Sequence, residues 1–362
     1  MIIKWLELHN FRNYTELLFE PKSAGAVIIV GNNGQGKTSL LEAISYLSTK
    51  KSFRGAVKES MISYDSVEAV IRAGFESSHQ REILVEASMM RSGRDRFLVN
   101  KQPLSKVSDI NKVIPVTVFA AQDVEVVRGA PQLRRDFLDQ CVAMLFPRGS
   151  SILSSVEKVL RQRNVLLKQS GGALTAEIAS TLEVWDQQLS VYGTKLVELR
   201  SELVELMTPY VFEAYRVVSG SNETVSLAYK RSWDGDLYNE LVNHRRDDLR
   251  RQTNGIGPHR DELEIDLDGH PIRHNGSQGE QRTAAYALKI AFHSLYRDRV
   301  GEDPILLLDD VFSELDEGRS EAILRSVSAA QTILTTTGNI PGILEPTMKI
   351  YVKEGRLVDS LG

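Results

Sequence analysis

The chain has little that would cross-link it or anchor it in a membrane. Its 362 residues include one cysteine, Cys141, which cannot form a disulfide within the chain and is typical of a reducing compartment. The longest apolar runs, around Val27–Val30 and Ile305–Leu308, are far shorter than the roughly 18 residues that a membrane span needs. The alternating segment Met1–Leu8 predicts a strand and lacks the layout of a signal peptide. We therefore expect a cytoplasmic protein with no membrane partner.

An excess of positive charge is missing as well. The formal net charge is −4 and the isoelectric point is near 6.1, so any binding of nucleic acid must come from a local basic surface. With 42% hydrophobic and 25% charged residues, the composition is that of an ordinary globular protein, and the length is sufficient for two domains.

A phosphate-binding loop is the clearest motif that is present. It fits the pattern G-x-x-x-x-G-K-[ST] and consists of Gly31, Asn32, Asn33, Gly34, Gln35, Gly36, Lys37 and Thr38. The apolar run Ala26–Val30 predicts a buried strand before the loop, and Ser39–Leu47 predicts a helix after it whose N-terminus faces the phosphates. We expect the loop and Ser39 to bind the nucleotide. Lys37 would act in catalysis at the β- and γ-phosphates, and Thr38 would bind Mg²⁺.

Two adjacent carboxylates follow the apolar strand Ile305–Leu308, which is a Walker B pattern. We expect Asp309 to hold Mg²⁺, directly or through water, and Asp310 to be the catalytic residue that orients or deprotonates the attacking water. Most ABC-type ATPases carry Glu at the second position, and Asp310 is one methylene shorter, so hydrolysis is expected to be slow. Taken alone, the pair could also be two acids that open a loop after a core strand.

The segment Ser277–Arg282 resembles the signature motif of the ABC ATPase superfamily. Ser277 and Gly279 precede a helix-forming run, so a hydroxyl and a close-approach glycine lie at a helix N-terminus, which suits an anion. The resemblance implies that this site serves the nucleotide of a second copy, and it adds Gln281 to the nucleotide contacts. An ATP-dependent homodimer is the consequence. The alternative is a purely structural serine N-cap, with Glu280 completing a capping box.

The spacing of the motifs indicates an insertion. About 270 residues separate Thr38 from Asp309, whereas a P-loop domain needs only a few βα units of about 30 residues each between them. We expect the N-terminal part of the ATPase domain at 1–130, an inserted helical arm at 131–252 and the C-terminal part at 253–362. The fold class is α/β, an ABC-type P-loop ATPase head with a mixed sheet and an antiparallel β portion. The strands predicted between the loop and the arm are Val67–Ala73, Glu82–Ala87, Phe97–Val99 and Val113–Ala120.

One apolar stripe in the arm is especially regular. Its members alternate at spacings of three and four residues: Leu182, Trp185, Leu189, Tyr192, Leu196, Leu199, Leu203 and Leu206. This rhythm predicts a helix with a coiled-coil-like seam about 37 Å long at 1.5 Å per residue. The facing helix would carry Ile152, Val156, Val159 and Leu160, and Ser170–Gly172 would lie in the connection. We expect a short antiparallel hairpin in which the stripe is core and not a ligand site.

Segments spread over the whole chain carry a closer resemblance. They are Asn10–Tyr14, Gly31–Thr38 with Leu41–Ile44, Lys51–Arg54, Arg134–Asp139, Gly257–Glu262, Ser277–Arg282 and Leu307–Asp316. These segments are similar to those of the bacterial RecF family. The resemblance implies a recombination-repair ATPase that uses ATP and Mg²⁺, with Arg12 among its nucleotide contacts. It also implies a homodimer on single-stranded and gapped or junction duplex DNA, with RecR and RecO as partners in the loading of RecA.

Two positions depart from that family pattern. After Phe119 the chain reads Ala120–Asp123, where the family usually places a Pro and an acidic residue. Either Gln122 or Asp123 could sense the γ-phosphate. Gln122 is our candidate for a metal and catalytic contact. The strand Thr332–Thr337 offers only threonines where many ABC ATPases have a switch histidine, and a hydroxyl cannot carry the charge of an imidazolium. Slow hydrolysis follows from this and from Asp310.

The DNA-binding surface is less specified by the sequence. Its basic candidates are Arg54, Lys58, Arg94, Arg96 and Arg246. Charged runs are also typical of solvated faces, and the acids Asp247 and Asp248 favour salt bridges on the same helix. The pairs Arg134–Arg135 and His259–Arg260 could likewise be internal struts between the two lobes, and the sequence does not distinguish these alternatives.

Two other functions have weaker support. The nucleotide-binding subunit of an ABC transporter would share the three motifs, but it would not need a helical insert of this size. A GTPase would need an Asn-Lys-x-Asp motif, and both Asn100–Pro103 and Asn111–Ile114 lack the Asp. The sequence therefore favours adenine. Together with the features that predict slow hydrolysis, the resemblance implies a weak, DNA-stimulated ATPase that acts as a switch.

Overall fold

Two compact units make up the part of the chain that the computed structural model describes, which comprises residues 1–21, 24–104, 110–313, 315–327, 329–338 and 340–358. Unit 1 consists of Met1–Val124, Glu213–Ser221 and Arg282–Gly362, and unit 2 of Glu125–Phe212 and Asn222–Gln281. Glu314, part of one segment of the family resemblance, lies outside the described residues.

The unit boundaries differ from the predicted division at 130/131 and 252/253. Residues 253–281 group with the helical insert because Glu262–Leu267 pairs with Val225–Lys230 as antiparallel strands. The predicted division was drawn from motifs, which mark the ATPase sheet but carry no information on this pairing.

Unit 1 contains an antiparallel sheet that starts at the N-terminal strand. Its strands, in the order β2-β1-β4-β5-β6-β7, are β1 (Ile2–Phe11), β2 (Tyr14–Phe19), β4 (Glu68–Glu76), β5 (Glu82–Met90), β6 (Arg96–Val99) and β7 (Gln102–Pro103). Burial alternates along β4 and β5 because one face packs on the core and the other faces water. Three of the four predicted strands are confirmed here, with longer bounds.

The second sheet of unit 1 holds the ATPase motifs. In the order β15-β14-β3-β13-β12-β8, its strands are β3 (Gly25–Val30), β8 (Val116–Ala120), β12 (Ile305–Asp309), β13 (Gln331–Thr336), β14 (Pro346–Lys353) and β15 (Arg356–Val358). All neighbouring pairs are parallel except β14 with β15. The strand predicted from Val113 begins only at Val116, since Val113 ends a short helix and Pro115, which has no N–H to donate, precedes the strand.

The helices of unit 1 include the one that the phosphate loop opens. They are α1 (Lys37–Thr49), α2 (Lys58–Met61), α3 (Ile110–Val113), α10 (Gln278–Val300), which begins in unit 2, and α11 (Glu317–Ser326). Leu40 and Ile44 of α1 lie in one core cluster with Leu6 of β1 and Ile29 of β3, all with 0% exposure. Each such side chain contributes about 1.5–3 kcal/mol on burial, and together they fix the position of the phosphate loop.

Unit 2 is mainly helical. Its helices are α4 (Glu125–Arg128), α5 (Pro131–Leu145), α6 (Gly149–Gln169), most of α7 (Ala176–Ser219), α8 (Leu237–Arg251) and α9 (Ile272–Asn275). A three-stranded antiparallel sheet, ordered β11-β10-β9, accompanies them and was not predicted: β9 (Val225–Lys230), β10 (Glu262–Leu267) and β11 (His270–Pro271). No helix in the described ranges is both long and apolar enough to cross a membrane.

The predicted hairpin is present as α6 and α7. Leu167 packs with Leu182, and Arg163 bonds to Asp186 at 2.7 Å, so the two helices run antiparallel. At 44 residues, α7 spans about 66 Å, well beyond the predicted seam.

Only half of the predicted stripe forms the buried seam of α7. One residue in every seven along the stripe is buried, namely Leu182, Leu189, Leu196 and Leu203. The other four members of the predicted stripe are partly exposed. Each is followed in sequence by a residue that is buried in its place: Asp186, Gly193, Arg200 and Met207. Hydrophobic periodicity missed this second set because two of its members are charged and are buried against opposite charges.

Candidate functional site

The phosphate loop is shaped by the turn between β1 and β2. The Asn13 side chain donates from Nδ2 to the Gln35 carbonyl at 2.9 Å, and the Tyr14 hydroxyl donates to the Gly36 carbonyl at 3.0 Å. Gly36 has φ 115°, and a Cβ there would lie 2.6 Å from Asn13 Nδ2. Only glycine suits this position, because the left-handed backbone and the close neighbour both exclude a side chain.

Lys37 lies at the base of the loop with 6% exposure. Its ammonium donates to the carbonyl oxygens of Gly31 at 2.6 Å and Asn32 at 2.9 Å. Burial lowers the pKa of Lys37, and the charges of Asp310 and Asp309 act in the opposite direction. Neutral carbonyl partners leave the positive charge of this side chain available to a phosphate.

A hydroxyl and a carboxylate meet where α1 begins and β12 ends. Thr38 donates from Oγ1 to Asp309 Oδ1 at 2.8 Å, and Thr335 at the end of β13 donates to the same oxygen at 2.8 Å. Burial raises the pKa of Asp309, while the hydrogen bonds from Thr335 and Thr38 and the charge of Arg54 lower it. Hydroxyl and carboxylate oxygens are ligands that Mg²⁺ prefers, so the two predicted metal residues fit that ion.

Asp310 has a constrained backbone, with φ 50°. Its N–H donates to Thr335 Oγ1 at 3.0 Å, and its carbonyl accepts from Ser313 Oγ at 2.8 Å. A positive φ is uncommon for residues other than glycine and is often stabilised at functional sites. Thr335 thus contacts both acids of the Walker B pair, a role that its place among the threonines of Thr332–Thr337 does not reveal.

A cavity of about 540 Å³ opens over the loop. Its size is typical of a site for a small molecule or cofactor. Its lining residues are Arg12, Asn13, Asn33, Gly34, Gly36, Lys37, Thr38, Ser39, Arg54, Glu59, Ser60, Ile62, Tyr64, Arg91 and Asp310. Five of the eight residues of the phosphate loop therefore share one cavity with Asp310, which was predicted from a segment far away in sequence. Gly31, Asn32 and Gln35 are not among the lining residues.

Two arginines of this cavity have different surroundings. The Arg12 guanidinium forms two hydrogen bonds of 2.7 Å to the buried carboxylate of Glu42 and donates to the Ser60 carbonyl at 2.8 Å. Arg54 is exposed, and its charge reaches Asp309. Arg54, a candidate for binding DNA, lines the cavity over the phosphate loop.

Gln122 and Asp123 differ in their contacts. Gln122 is exposed, and its amide donates to the Phe53 carbonyl at 3.2 Å. The Asp123 carboxylate accepts from the Ala120 N–H at 2.8 Å and forms a salt bridge with Lys289 at 3.0 Å. Asp123 is therefore committed to internal partners, and Gln122 is the more available of the two.

The signature segment forms the capping box that was considered as the alternative. The Ser277 N–H donates to Glu280 Oε2 at 2.7 Å, and the Glu280 N–H donates to Ser277 Oγ at 3.3 Å. Ser277 is exposed and Gly279 is partly exposed. A capped N-terminus and an anion site are compatible, because the cap fixes the geometry of the amide groups.

Gln281 does not fit its predicted contact with the nucleotide. The side chain is buried, and its amide nitrogen donates to the carbonyls of Ile272, Arg273 and Gly276 at 3.1–3.2 Å. These bonds hold the turn before the signature helix. The resemblance placed Gln281 in the right motif but could not show which way its side chain turns.

Buried ion pairs connect the helices of unit 2. Arg163, with 0% exposure, bonds to Asp186 at 2.7 Å and to Asp248 and Asn254 at 2.6 Å. Arg200 bonds to Asp139 at 2.8 Å. These contacts join α5, α6, α7 and α8 with the segment that follows α8.

The motif Gly257–Asp261 is held by hydrogen bonds within unit 2. Arg200 donates to the Pro258 carbonyl at 2.7 Å, and Asp261 is buried and accepts hydrogen bonds from the Tyr229 hydroxyl and the Ser232 N–H. Burial raises the pKa of Asp261. The motif therefore has a structural role within unit 2.

The arginine pair Arg134–Arg135 is also internal. Arg134 bonds to Glu262 at 2.6 Å, and Arg135 donates to the Asp261 carbonyl at 2.7 Å. Both contacts lie within unit 2, so the pair is internal but does not join two lobes as considered above.

The other DNA candidates lie at or near the surface. Lys58 forms a salt bridge with Asp95 at 3.1 Å, whereas Arg94, Arg96 and Arg246 are exposed. Of the predicted helical salt bridges, that between Asp247 and Arg250 is present at 2.9 Å.

Comparison with known proteins agrees with these motifs. Residues 2–340 match the family described as RecF/RecN/SMC N terminal domain. The DNA replication and repair protein RecF of Agathobacter rectalis is 37% identical over 341 residues, which cover 93% of this chain and 92% of that protein. RecF of Clostridium tetani is 32% identical over an alignment of 373 residues, and the alignment covers 99% of this chain and all of that protein.

Solved structures give the same result. A structure of the recombination mediator protein RecF with ATP, from the RecFOR pathway, superposes with a TM-score of 0.91 at 29% identity over 99% of this chain and 97% of that chain. An Smc head bound to the C-terminal winged-helix domain of ScpA matches over 99% of this chain and 97% of that chain, with a TM-score of 0.58 at 15% identity, and shares the fold.

Proposed function

Because the chain belongs to the RecF family, we propose that it is an ATP-dependent DNA-binding protein of recombinational DNA repair and replication restart. The observation that carries the proposal is the meeting of Thr38 and Asp309 at 2.8 Å beside the buried Lys37, under a cavity of nucleotide size. This arrangement supports the binding of ATP with Mg²⁺.

Each residue of the site has a proposed task. Lys37 binds the β- and γ-phosphates, the loop residues 31–38 and Ser39 surround the phosphates with N–H groups, and Thr38 and Asp309 hold Mg²⁺. The metal would neutralise charge that develops on the transferred phosphoryl group. Asp310 orients or deprotonates the attacking water, and its short side chain supports slow turnover.

Gln122 is proposed as the residue that senses the γ-phosphate and contacts the metal. Its exposed amide, compared with the internally bonded carboxylate of Asp123, supports this choice. Arg12 is proposed to act next to the nucleotide through the geometry that Glu42 imposes on it.

The proposed active form is a homodimer. Ser277 and Gly279 of one copy bind the γ-phosphate of the nucleotide held by Lys37 of the other, which makes the interface self-complementary. The exposed Ser277 side chain at a capped helix N-terminus supports this role.

The dimer would act on DNA that contains single strands, gaps or junctions. There it would help RecR and RecO to load RecA in the cytoplasm, and slow, DNA-stimulated ATP hydrolysis would release it. No observation favours the transporter subunit considered above, since the family match extends through the helical insert.

Sedimentation with and without MgATP and gapped DNA tests this function. We expect a monomer without nucleotide, a dimer with MgATP and a dimer bound to DNA when both are present. Lys37→Met is the control that should remain monomeric in all three conditions. An unchanged sedimentation coefficient of the wild type on addition of MgATP would contradict the proposal.

A further inference from the structure

The turn between β14 and β15 lies against the phosphate loop. It consists of Glu354, with φ 48°, and Gly355, with φ 70°, between the paired residues Lys353 and Arg356. Two positive φ values are typical of the type I′ turn that joins antiparallel strands. Gly355 is buried, although it lies in a turn. The hairpin contains none of the sequence motifs, so a buried turn there has to be explained by its contacts.

Gln35 of the phosphate loop accepts both N–H groups of this turn. The Glu354 N–H donates to Gln35 Oε1 at 2.6 Å, and the Gly355 N–H donates to the Gln35 carbonyl at 3.1 Å. A two-residue turn does not use these two N–H groups in the ladder of its own strands, so they are available to another segment. The side chain of Gln35 is thus engaged by the hairpin and is not part of the cavity lining.

The turn between β1 and β2 reaches the same point from the other end of the chain. Asn13 Nδ2 donates to the Gln35 carbonyl at 2.9 Å, and a Cβ on Gly355 would collide with the Asn13 carbonyl oxygen. At the start of the loop, a Cβ on Gly31 would lie 2.6 Å from the Val352 carbonyl oxygen of β14. The hairpin therefore packs against the phosphate loop at two points, and neither glycine leaves room for a side chain.

The Gln35 carbonyl determines where the next N–H group points. The C=O and N–H of one trans peptide point in opposite directions. Because Asn13 and Gly355 hold the Gln35 carbonyl on their side, the N–H of Gly36 is turned away from them, and Gly36 lines the cavity. A phosphate-binding loop requires this orientation, since N–H groups and not carbonyl oxygens must face the anion.

We propose that Gln35 and the turn Glu354–Gly355 are positioning residues of the phosphate site, which hold the Gln35–Gly36 peptide with its N–H toward the phosphates. The inference rests on the proposed binding of ATP by this loop. It extends the site to a hairpin that lies 319 residues further along the chain. Because the turn acts on the phosphate contacts alone, its effect is the same for every ligand that carries the same phosphates.

The test measures the affinity of the loop for phosphates with and without a nucleoside. Binding of MgATP and of magnesium tripolyphosphate is followed by calorimetry for the wild type, Gln35→Met and Gly355→Ala. Methionine is about as long as glutamine but offers no carbonyl oxygen, so Gln35→Met should weaken both ligands about fivefold, the effect of one hydrogen bond. Gly355→Ala displaces the turn and should weaken both ligands by a larger factor. The number of sites per chain should stay that of the wild type.

Gly269→Ala is the matched control for backbone strain. Asp268 and Gly269 form a two-residue turn between β10 and β11 with φ 48° and 77°, and a Cβ on Gly269 would meet open space. The substitution introduces the same strain away from the phosphate loop and should change neither affinity.

The outcomes separate positioning from a merely structural role. Wild-type affinity of Gln35→Met for both ligands would overturn the inference, and so would fewer binding sites with an unchanged dissociation constant. Gln35→Met decides even where Gly355→Ala fails to fold, because it leaves the backbone of the turn unaltered. Failure of the proposed function gives a different result, since the wild type would then bind neither ligand and both proposals would fall.

Discussion

Thr335 Oγ1 lies 2.8 Å from Asp309 Oδ1, the same carboxylate oxygen that Thr38 contacts at 2.8 Å. The hydroxyl of Thr335 also accepts the Asp310 N–H at 3.0 Å. One buried side chain on β13 therefore orients Asp309, the proposed metal ligand, and fixes the backbone of Asp310, the proposed base, at its positive φ.

Thr335→Val should slow ATP hydrolysis with little effect on nucleotide affinity. Valine has the same shape but leaves the partly buried Asp310 N–H without its acceptor, at a cost of about 1 kcal/mol. We expect kcat to fall about tenfold, while KM changes little. Thr335→Ser keeps the hydroxyl and should stay close to the wild type. Equal kcat values for the valine and serine variants would show that the hydroxyl does not position the acids.

Ser277→Arg should abolish ATP-driven dimerisation and leave ATP binding nearly intact, because the bulky cation blocks the site for the partner's γ-phosphate. Loss of the N-cap costs about 1 kcal/mol and is a separate effect. Ser277→Asp separates the two, since aspartate caps the helix but repels the phosphate. Dimerisation of either variant with MgATP, measured by sedimentation, would contradict the shared-site arrangement.

Asp310→Asn should trap the dimer with ATP bound. Asparagine tolerates the positive φ at this position but cannot take up a proton from water. Turnover of the wild type should itself be slow, at or below about 1 s⁻¹. The measurement is single-turnover hydrolysis together with the lifetime of the dimer. A normal hydrolysis rate in this variant would exclude Asp310 as the base.

Unit 2 should lose stability in mild acid through His259. Burial lowers the pKa of His259 from 6.5 to about 4, against a hydrogen bond to the Asn254 carbonyl that favours the charged form. Below pH 6.5 the unfolded chain binds a proton there that the folded chain does not bind until about pH 4, so folding weakens as the pH falls through this window. At pH 5.5 the loss is about 1 kcal/mol relative to pH 7.5.

His259→Gln keeps a donor for the Asn254 carbonyl and cannot titrate. Urea unfolding of both proteins at pH 7.5 and 5.5 should show a smaller acid effect in the variant. An identical loss of stability in the two proteins would assign the acid sensitivity to other groups.

DNA binding should be electrostatic and should require ATP, since each copy of a net-acidic protein offers few phosphate contacts and the dimer doubles them. The logarithm of affinity should fall with log[salt] at a slope of about −0.9 per contacted phosphate. Charge removal at Arg94, Arg96 or Arg246 should reduce that slope where the residue contacts DNA, while Arg54→Gln should act mainly on ATP binding. A salt-independent affinity, or equal affinity with and without ATP, would contradict this ATP-dependent electrostatic binding.

The features that the sequence predicted best are contiguous motifs and the periodic hydrophobic patterns next to them. The phosphate loop is contiguous, and its strand and helix follow from the patterns beside it, so strand, loop and helix are confirmed together. The strand before Asp309 is predictable for the same reason.

The features that sequence missed depend on contacts between distant segments. Thr335 acts through Asp309, and the pairing of β9 with β10 joins segments on either side of α8. Neither leaves a periodic signal. In α7 the apolar rhythm found the helix but chose Trp185 as core, while Asp186 is the buried residue, because periodicity assigns every charge to solvent.

The buried guanidinium of Arg163 has a consequence for how unit 2 assembles. Leaving such a charge in apolar surroundings without its carboxylates costs about 3–5 kcal/mol. Partners arrive from α7, α8 and the segment after α8, so an intermediate that lacks one of them carries an uncompensated ion. The cluster therefore destabilises partly folded intermediates of unit 2. We expect the amide protons of α6, α7 and α8 to exchange with solvent as one cooperative block.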